Sequence, residues 1–82
     1  MASHVAAVVE AAAKKLVDAP DKVIVTESEQ RGTTLVELTV GSSDTGKVIG
    51  RQGRTADALR TLVAATAAYH GVRATLDIRD PE

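Results

Sequence analysis

The sequence predicts a small α+β domain in which three helices pack on one face of a three-stranded sheet, in the order α-β-β-α-α-β. Three observations carry this. Segments near the N-terminus and from residue 55 to 70 repeat apolar residues at helical spacing. Three other segments alternate apolar and polar residues with the period of two of a half-buried strand. Between the helical parts lies a glycine-bearing stretch, Gly46-Lys47-Val48-Ile49-Gly50-Arg51-Gln52-Gly53-Arg54.

In the first segment Val5, Val8, Val9, Ala12 and Leu16 form one stripe of an amphipathic helix. Ser3 stands where an N-cap belongs, and Pro20 ends the helix by pushing the residue before it out of the α region. Lys22–Ser28 reads as a strand with Val23 and Val25 on one face and Ile24 and Thr26 on the other. Glu29-Gln30-Arg31-Gly32 supplies a turn. In a second strand, Thr33–Val40, Val36, Leu38 and Val40 alternate with Leu35, Glu37 and Thr39, and the short link makes the pair an antiparallel hairpin. Ser43 or Asp44 caps a short helix running to Ile49. After the glycine loop, Ala56, Leu59, Leu62, Val63, Thr66 and Ala67 trace the apolar face of the longest helix, Thr55–His70, with Gly71 as its C′ glycine. Ala74, Leu76 and Ile78 then mark a third strand, Arg73–Arg79, and Asp80-Pro81-Glu82 frays.

The chain has 82 residues, which predicts one domain over 1–82 without linker or repeat. With one Tyr and no Phe or Trp, the core rests on Val, Leu, Ile and Ala. Such side chains bury little area each, at roughly 25 cal/mol per Å², so self-association is expected. The absence of cysteine excludes disulfides and thiolate metal sites. Glu10, Lys14 and Lys15 interrupt the N-terminal Ala and Val run, no basic region precedes it, and no run has the length of a membrane span. Neither a signal peptide nor a transmembrane segment is expected.

The net charge of −1 argues against strong non-specific binding to nucleic acid. Its distribution is uneven. Residues 45–60 carry Lys47, Arg51, Arg54 and Arg60 against Asp57 alone, a net +3, which leaves −4 for the remainder. Glycines let a backbone approach a ligand closely. The free N–H groups and dipole of the helix after Gly53 favour an anion such as phosphate. Lys47, Gly50, Arg51, Gln52, Gly53 and Arg54 are therefore candidates for holding a phosphodiester backbone. Val48 and Ile49 are adjacent and cannot face the same way; Ile49 is assigned to a base-binding groove and Val48 to the core. Gly41-Ser42-Ser43-Asp44-Thr45-Gly46-Lys47-Val48 nearly spells a Walker A loop, but Val48 stands where Ser or Thr should hold Mg²⁺.

Val48-Ile49-Gly50-Arg51-Gln52-Gly53-Arg54, followed by Ala56 and Leu59, resembles the K-homology (KH) motif I-G-x-x-G-x-x-Φ-x-x-Φ, where Φ is apolar. The element order is similar to that of type II KH domains. Together with Leu16-Val17-Asp18-Ala19-Pro20-Asp21-Lys22-Val23, the stretch resembles the small bacterial single-KH family KhpA over nearly the whole chain. In KH domains the G-x-x-G loop clamps about four nucleotides of single strand. The resemblance implies a cytoplasmic, non-catalytic protein that binds single-stranded RNA, as an RNA chaperone or post-transcriptional regulator. It also implies homodimers, and heterodimers with a larger KhpB-type multidomain KH protein. In the alternative reading the chain is mainly a dimerisation module, with RNA held by that partner. The sequence departs from the motif at Ala56, where many KH domains carry a larger aliphatic, and a shallower groove follows. With only about three or four phosphates held, affinity should fall with salt at about −0.7 per phosphate.

Tyr69 lies too far along the helix from the loop to stack on bases held there, and is assigned to packing or a dimer contact. The Ala64-Ala65-Thr66-Ala67-Ala68 run allows another backbone to approach and is a candidate dimer face. His4 and His70 lack metal-ligand spacing, so neither metal nor cofactor is expected. Asp18, Asp21, Asp77 and Asp80 read as solvated surface.

Overall fold

The computed structural model, which describes residues 4–81, runs α1 (His4–Leu16), β1 (Ile24–Gln30), β2 (Thr33–Thr39), α2 (Thr45–Ile49), α3 (Arg54–Tyr69) and β3 (Arg73–Arg79). The expected α-β-β-α-α-β order of a type II KH fold is therefore present. The strands form one sheet in the order β1-β2-β3. β1 and β2 are antiparallel, with Ile24 opposite Thr39 and Gln30 opposite Thr33. β2 and β3 are parallel, with Thr33 beside Arg73 and Thr39 beside Arg79. A parallel neighbour requires a long crossover, and α2 and α3 together are that crossover. The glycine loop between them thus lies at the carboxyl end of β2.

The strand alternation sets the layers. Val36, Leu38 and Val40 of β2 and Leu76 of β3 are buried against the helices. Glu37, Thr39, Asp77 and Arg79 lie on the other face, where the Arg79 guanidinium pairs with the Glu37 carboxylate. Val5, Val9, Ala13, Val48, Leu59, Val63 and Ala67 fill the helical side of an entirely aliphatic core.

Several boundaries and faces differ from expectation. The Ser3 cap lies outside the described residues. α1 ends at Leu16, before Pro20 acts, and Pro20 instead opens a 3-10 turn over Pro20–Lys22. Lys22 is therefore not in the strand, and β1 starts and ends later than its alternation suggested. The hairpin turn is only Arg31-Gly32, because Glu29 and Gln30 pair with Thr34 and Thr33. Both turn residues have positive φ, 54° and 80°, as the two-residue turn that matches strand twist requires. The buried face of α1 is centred on Val5, Val9 and Ala13, with Val8 and Ala12 half-buried and Leu16 40% exposed. Val17 takes the inward position as the helix ends, its N–H donating to the Ala13 carbonyl, and so Leu16 is turned outward. Leu62 on α3 is also exposed, and the core side of that helix is Ala56, Leu59, Val63 and Ala67.

Gly71 sits at C′ as expected, with φ 70°. Its N–H donates to Ala68 and that of Val72 to Ala67, the double closure of a Schellman motif. His70 stacks on His4, with ring centroids 4.0 Å apart, which sets the start of α1 beside the end of α3. No helix among the described residues is long and apolar enough to cross a membrane.

Candidate nucleic-acid interface

The site begins with α2, a helix of 5 residues, too short to be stable without tertiary anchors. One anchor is Val48, which is fully buried in the core. Ile49, its neighbour, is half-buried, so the adjacent pair divides between core and surface.

The chain leaves α2 through Gly50, with φ 77° and ψ 170°, a region open essentially to glycine alone. A Cβ at this position would lie 2.3 Å from Thr55 Oγ1 and 2.9 Å from the Thr55 nitrogen. Gly50 is thus required by the loop's own packing. Gly53 is different: it is left-handed, at φ 73° and ψ 13°, and a Cβ there would meet nothing within 4 Å. Between them Gln52 is also left-handed, at φ 56° and ψ 27°, an uncommon conformation for a residue with a side chain. Arg51, Gln52 and Arg54 are exposed.

The N–H groups of the two glycines are engaged internally. Gly50 donates to the Gly46 carbonyl at 2.8 Å and Gly53 to the Gly50 carbonyl at 3.1 Å. Among the described residues the N–H groups of Arg51 and Gln52 donate to no backbone carbonyl outside the helices. α3 follows at once, with 16 residues and Gly53 at its N-cap, which provides no side-chain cap. Uncapped N–H groups and the positive end of the dipole therefore face the loop.

The cations behave unequally. Arg51 and Arg54 pair with no carboxylate among the described residues. Arg60 lies 3.7 Å from Asp57 on the same helix. Lys47 is held: its Nζ donates to Asp18 Oδ2 at 2.7 Å and to Asp44 Oδ1 at 2.9 Å. Asp44 does not cap α2 with its side chain. Its carboxylate is buried and also accepts the N–H of Asp18 at 3.2 Å and of Ala19 at 3.0 Å. The Lys47 hydrogen bond, chiefly, holds the Asp44 carboxyl below the usual carboxylate range, against the opposing effect of burial. Lys47 is raised above the usual ammonium range, first by Asp18 and then by Asp44. Asp18 is solvated as expected, its side chain 84% exposed, and in addition pairs with Lys47. The i, i+3 spacing of Asp44 and Lys47 was a readable signal for their pairing; nothing local in the sequence brings Asp18 to them.

Tyr69 is 86% exposed, its ring edge-on to His70 at 5.1 Å, which removes it from the core. No group of three or more His, Cys, Asp or Glu side chains suited to a metal occurs among the described residues.

Comparison with known proteins places these features in a family. Residues 6–78 match the family described as KhpA/KhpB, KH domain. The chain is 51% identical over 71 residues to an RNA-binding protein KhpA of Aquifex aeolicus, covering 87% of this chain and 90% of that one. It is 50% identical over 72 residues to the RNA-binding protein KhpA of Halalkalibacterium halodurans, covering 88% and 95%. For the Treponema pallidum RNA-binding protein KhpA the identity is 48% over 68 residues, covering 83% and 85%. Among solved structures, a crystal structure of an Aquifex aeolicus Era variant bound to GDP·AlF4⁻ superposes with a TM-score of 0.65 at 16% identity. That match covers 93% of this chain and 29% of the Era chain, and it concerns the fold alone.

Proposed function

The chain belongs to the KhpA/KhpB KH-domain family, and on that premise we propose that it binds single-stranded RNA through the G-x-x-G loop without catalysing a reaction. The observation that carries this reading is the exposed loop itself. It offers the unpaired guanidiniums of Arg51 and Arg54 and the amides of Arg51 and Gln52 at the uncapped end of α3. Phosphate suits that combination of fixed N–H donors, planar cations and helix dipole. The half-exposed Ile49 beside the loop supplies an apolar edge for a base. Ala56 is buried on the core side of α3 and adds little to a groove, so few bases are gripped and the single domain binds weakly. An RNA partner of this kind fits a cytoplasmic chaperone or post-transcriptional regulator.

The test is the double variant Arg51→Asp with Gln52→Asp, both exposed and outside the core. RNA retention in low salt should be lost while the circular dichroism spectrum and melting temperature stay close to those of the parent. Undiminished RNA binding by the folded variant would overturn the clamp.

A second activity is favoured by a separate observation. Leu62, Tyr69 and Val72 are exposed apolar side chains on and just after α3, and Leu62 and Tyr69 lie two turns apart on one face. We infer self-association there, or pairing with a larger KhpB-type KH protein, which adds a second RNA-binding surface and raises avidity.

A further inference from the structure

Asp44 is the buried charged residue among those described, and RNA binding as outlined above makes no use of it. Its carboxylate gathers donors from two separate parts of the chain. Asp18 N–H and Ala19 N–H come from the segment after α1, and the Lys47 ammonium comes from α2. Lys47 closes the arrangement by bonding Asp18 as well. Asp44 immediately precedes α2, and Gly50 immediately follows it. A helix this short has little stiffness of its own against rotation about Val48, its buried contact. The carboxylate cluster pins the start of α2 to the end of α1, and the direction in which α2 delivers the chain to Gly50 depends on that pin.

We propose that Asp44 is a positioning residue for the G-x-x-G loop, and that Lys47 is the cation that neutralises it and not a phosphate ligand. The proposal rests on the clamp reading for its effect on RNA. A buried carboxylate stripped of its cation is an uncompensated charge, so Lys47 cannot be drawn away to a phosphate without disturbing the support of the loop. The chain's mobile phosphate-binding cations are then Arg51 and Arg54.

The experiment compares Asp44→Asn, Lys47→Met and Arg51→Met in binding to a fluorescein-labelled single-stranded RNA of mixed sequence, over a salt series and well below each melting temperature. The RNA-free proteins are compared by the backbone amide resonances of Gly50 and Gly53. Arg51→Met should weaken binding and reduce the salt slope by about 0.7, because one phosphate contact is removed. Asp44→Asn and Lys47→Met should each weaken binding by roughly fivefold, the size of a coupled effect without ligand contact, with the slope unchanged. Both should also shift the Gly50 and Gly53 resonances, and the double variant should bind no worse than the weaker single one. Lys47→Arg should restore the parent affinity and resonances. Loss of global stability alone moves neither the affinity of the folded protein nor its loop resonances. A slope lowered by Lys47→Met as much as by Arg51→Met would overturn the assignment of Lys47. Unmoved glycine resonances in Lys47→Met would overturn the positioning role, and this arm decides the matter even if Asp44→Asn does not fold. If Arg51→Met binds RNA like the parent, the clamp reading fails, while the glycine resonances still decide whether Asp44 sets the loop.

Discussion

The two ends of α3 both pass through a glycine of positive φ, yet they present opposite chemistry. At the N-terminal end the residues around Gly53 are exposed and cationic, and the helix has no side-chain cap. At the C-terminal end the Schellman bonds close the carbonyls onto Gly71 and Val72. The side chains left outside there are Tyr69 and Val72, with Leu62 further back. Along a helix of 16 residues, at ~1.5 Å per residue, Tyr69 lies about 24 Å and Leu62 about 13 Å from Gly53. One end leaves backbone donors open to an anion, while the other has satisfied its backbone and leaves apolar area to be covered. On the function proposed above, RNA and a protein partner would be held at once, and each surface should be removable without the other.

The largest effect is expected at Gly50. Gly50→Val places a Cβ within 2.9 Å of the Thr55 backbone nitrogen, which no side-chain rotation relieves, in a conformation that costs a non-glycine residue about 1–3 kcal/mol. The variant should melt markedly lower and lose RNA binding. Gly53→Asn, in open space and in a left-handed conformation that Asn tolerates, should stay within about 1 kcal/mol of the parent. Equal losses at both positions, by thermal melts and RNA titration, would remove the distinction between a glycine the loop needs and one that merely eases it.

At the opposite end, Leu62→Asp with Tyr69→Ser should weaken self-association by about 2 kcal/mol or more, as removal of central apolar anchors does. Sedimentation equilibrium over a concentration series reads this directly. Per-site RNA affinity at low protein concentration should be unchanged, because neither residue lies near Gly50–Gly53 in the chain or at that end of α3. A variant that associates like the parent would show that the exposed stripe is not the contact.

Much of this was legible before the fold. Period-two alternation located all three strands, and helical spacing with the glycine pair located α3 and the loop. The buried α1 face lies one notch from the stripe that the apolar spacing predicts, because Leu16, as a large apolar residue, draws that stripe toward itself. Helix termination then put Val17 inside instead. The parallel pairing of β2 with β3 was not readable, since alternation gives a strand's faces and not its neighbours. At the site, exposure of Arg51 and Gln52 followed from the motif. The capture of Lys47 follows only in part: the i, i+3 spacing offers it Asp44, but Asp18 reaches it only through tertiary structure.

That capture predicts how the loop end responds to pH. The carboxyl of Asp44 is depressed in the folded protein, first by its Lys47 hydrogen bond. Its contribution to stability is therefore fully present above the unfolded value, near pH 4, and is lost as pH falls through the folded value. Lys47 is raised, first by Asp18, so its contribution is present below about pH 10.4 and is lost as pH rises through its folded value. Urea titrations should show a plateau between these limits for the cluster, with stability declining on both flanks. In Asp44→Asn the acid decline should be shallower than in the parent, because the carboxylate whose protonation drives part of it is gone. The alkaline decline should also be shallower, although Asp18 still holds Lys47 there. Parallel acid limbs for parent and Asp44→Asn would mean that the cluster contributes nothing to the pH dependence, and the buried carboxylate would then have to be as favourable protonated as ionised.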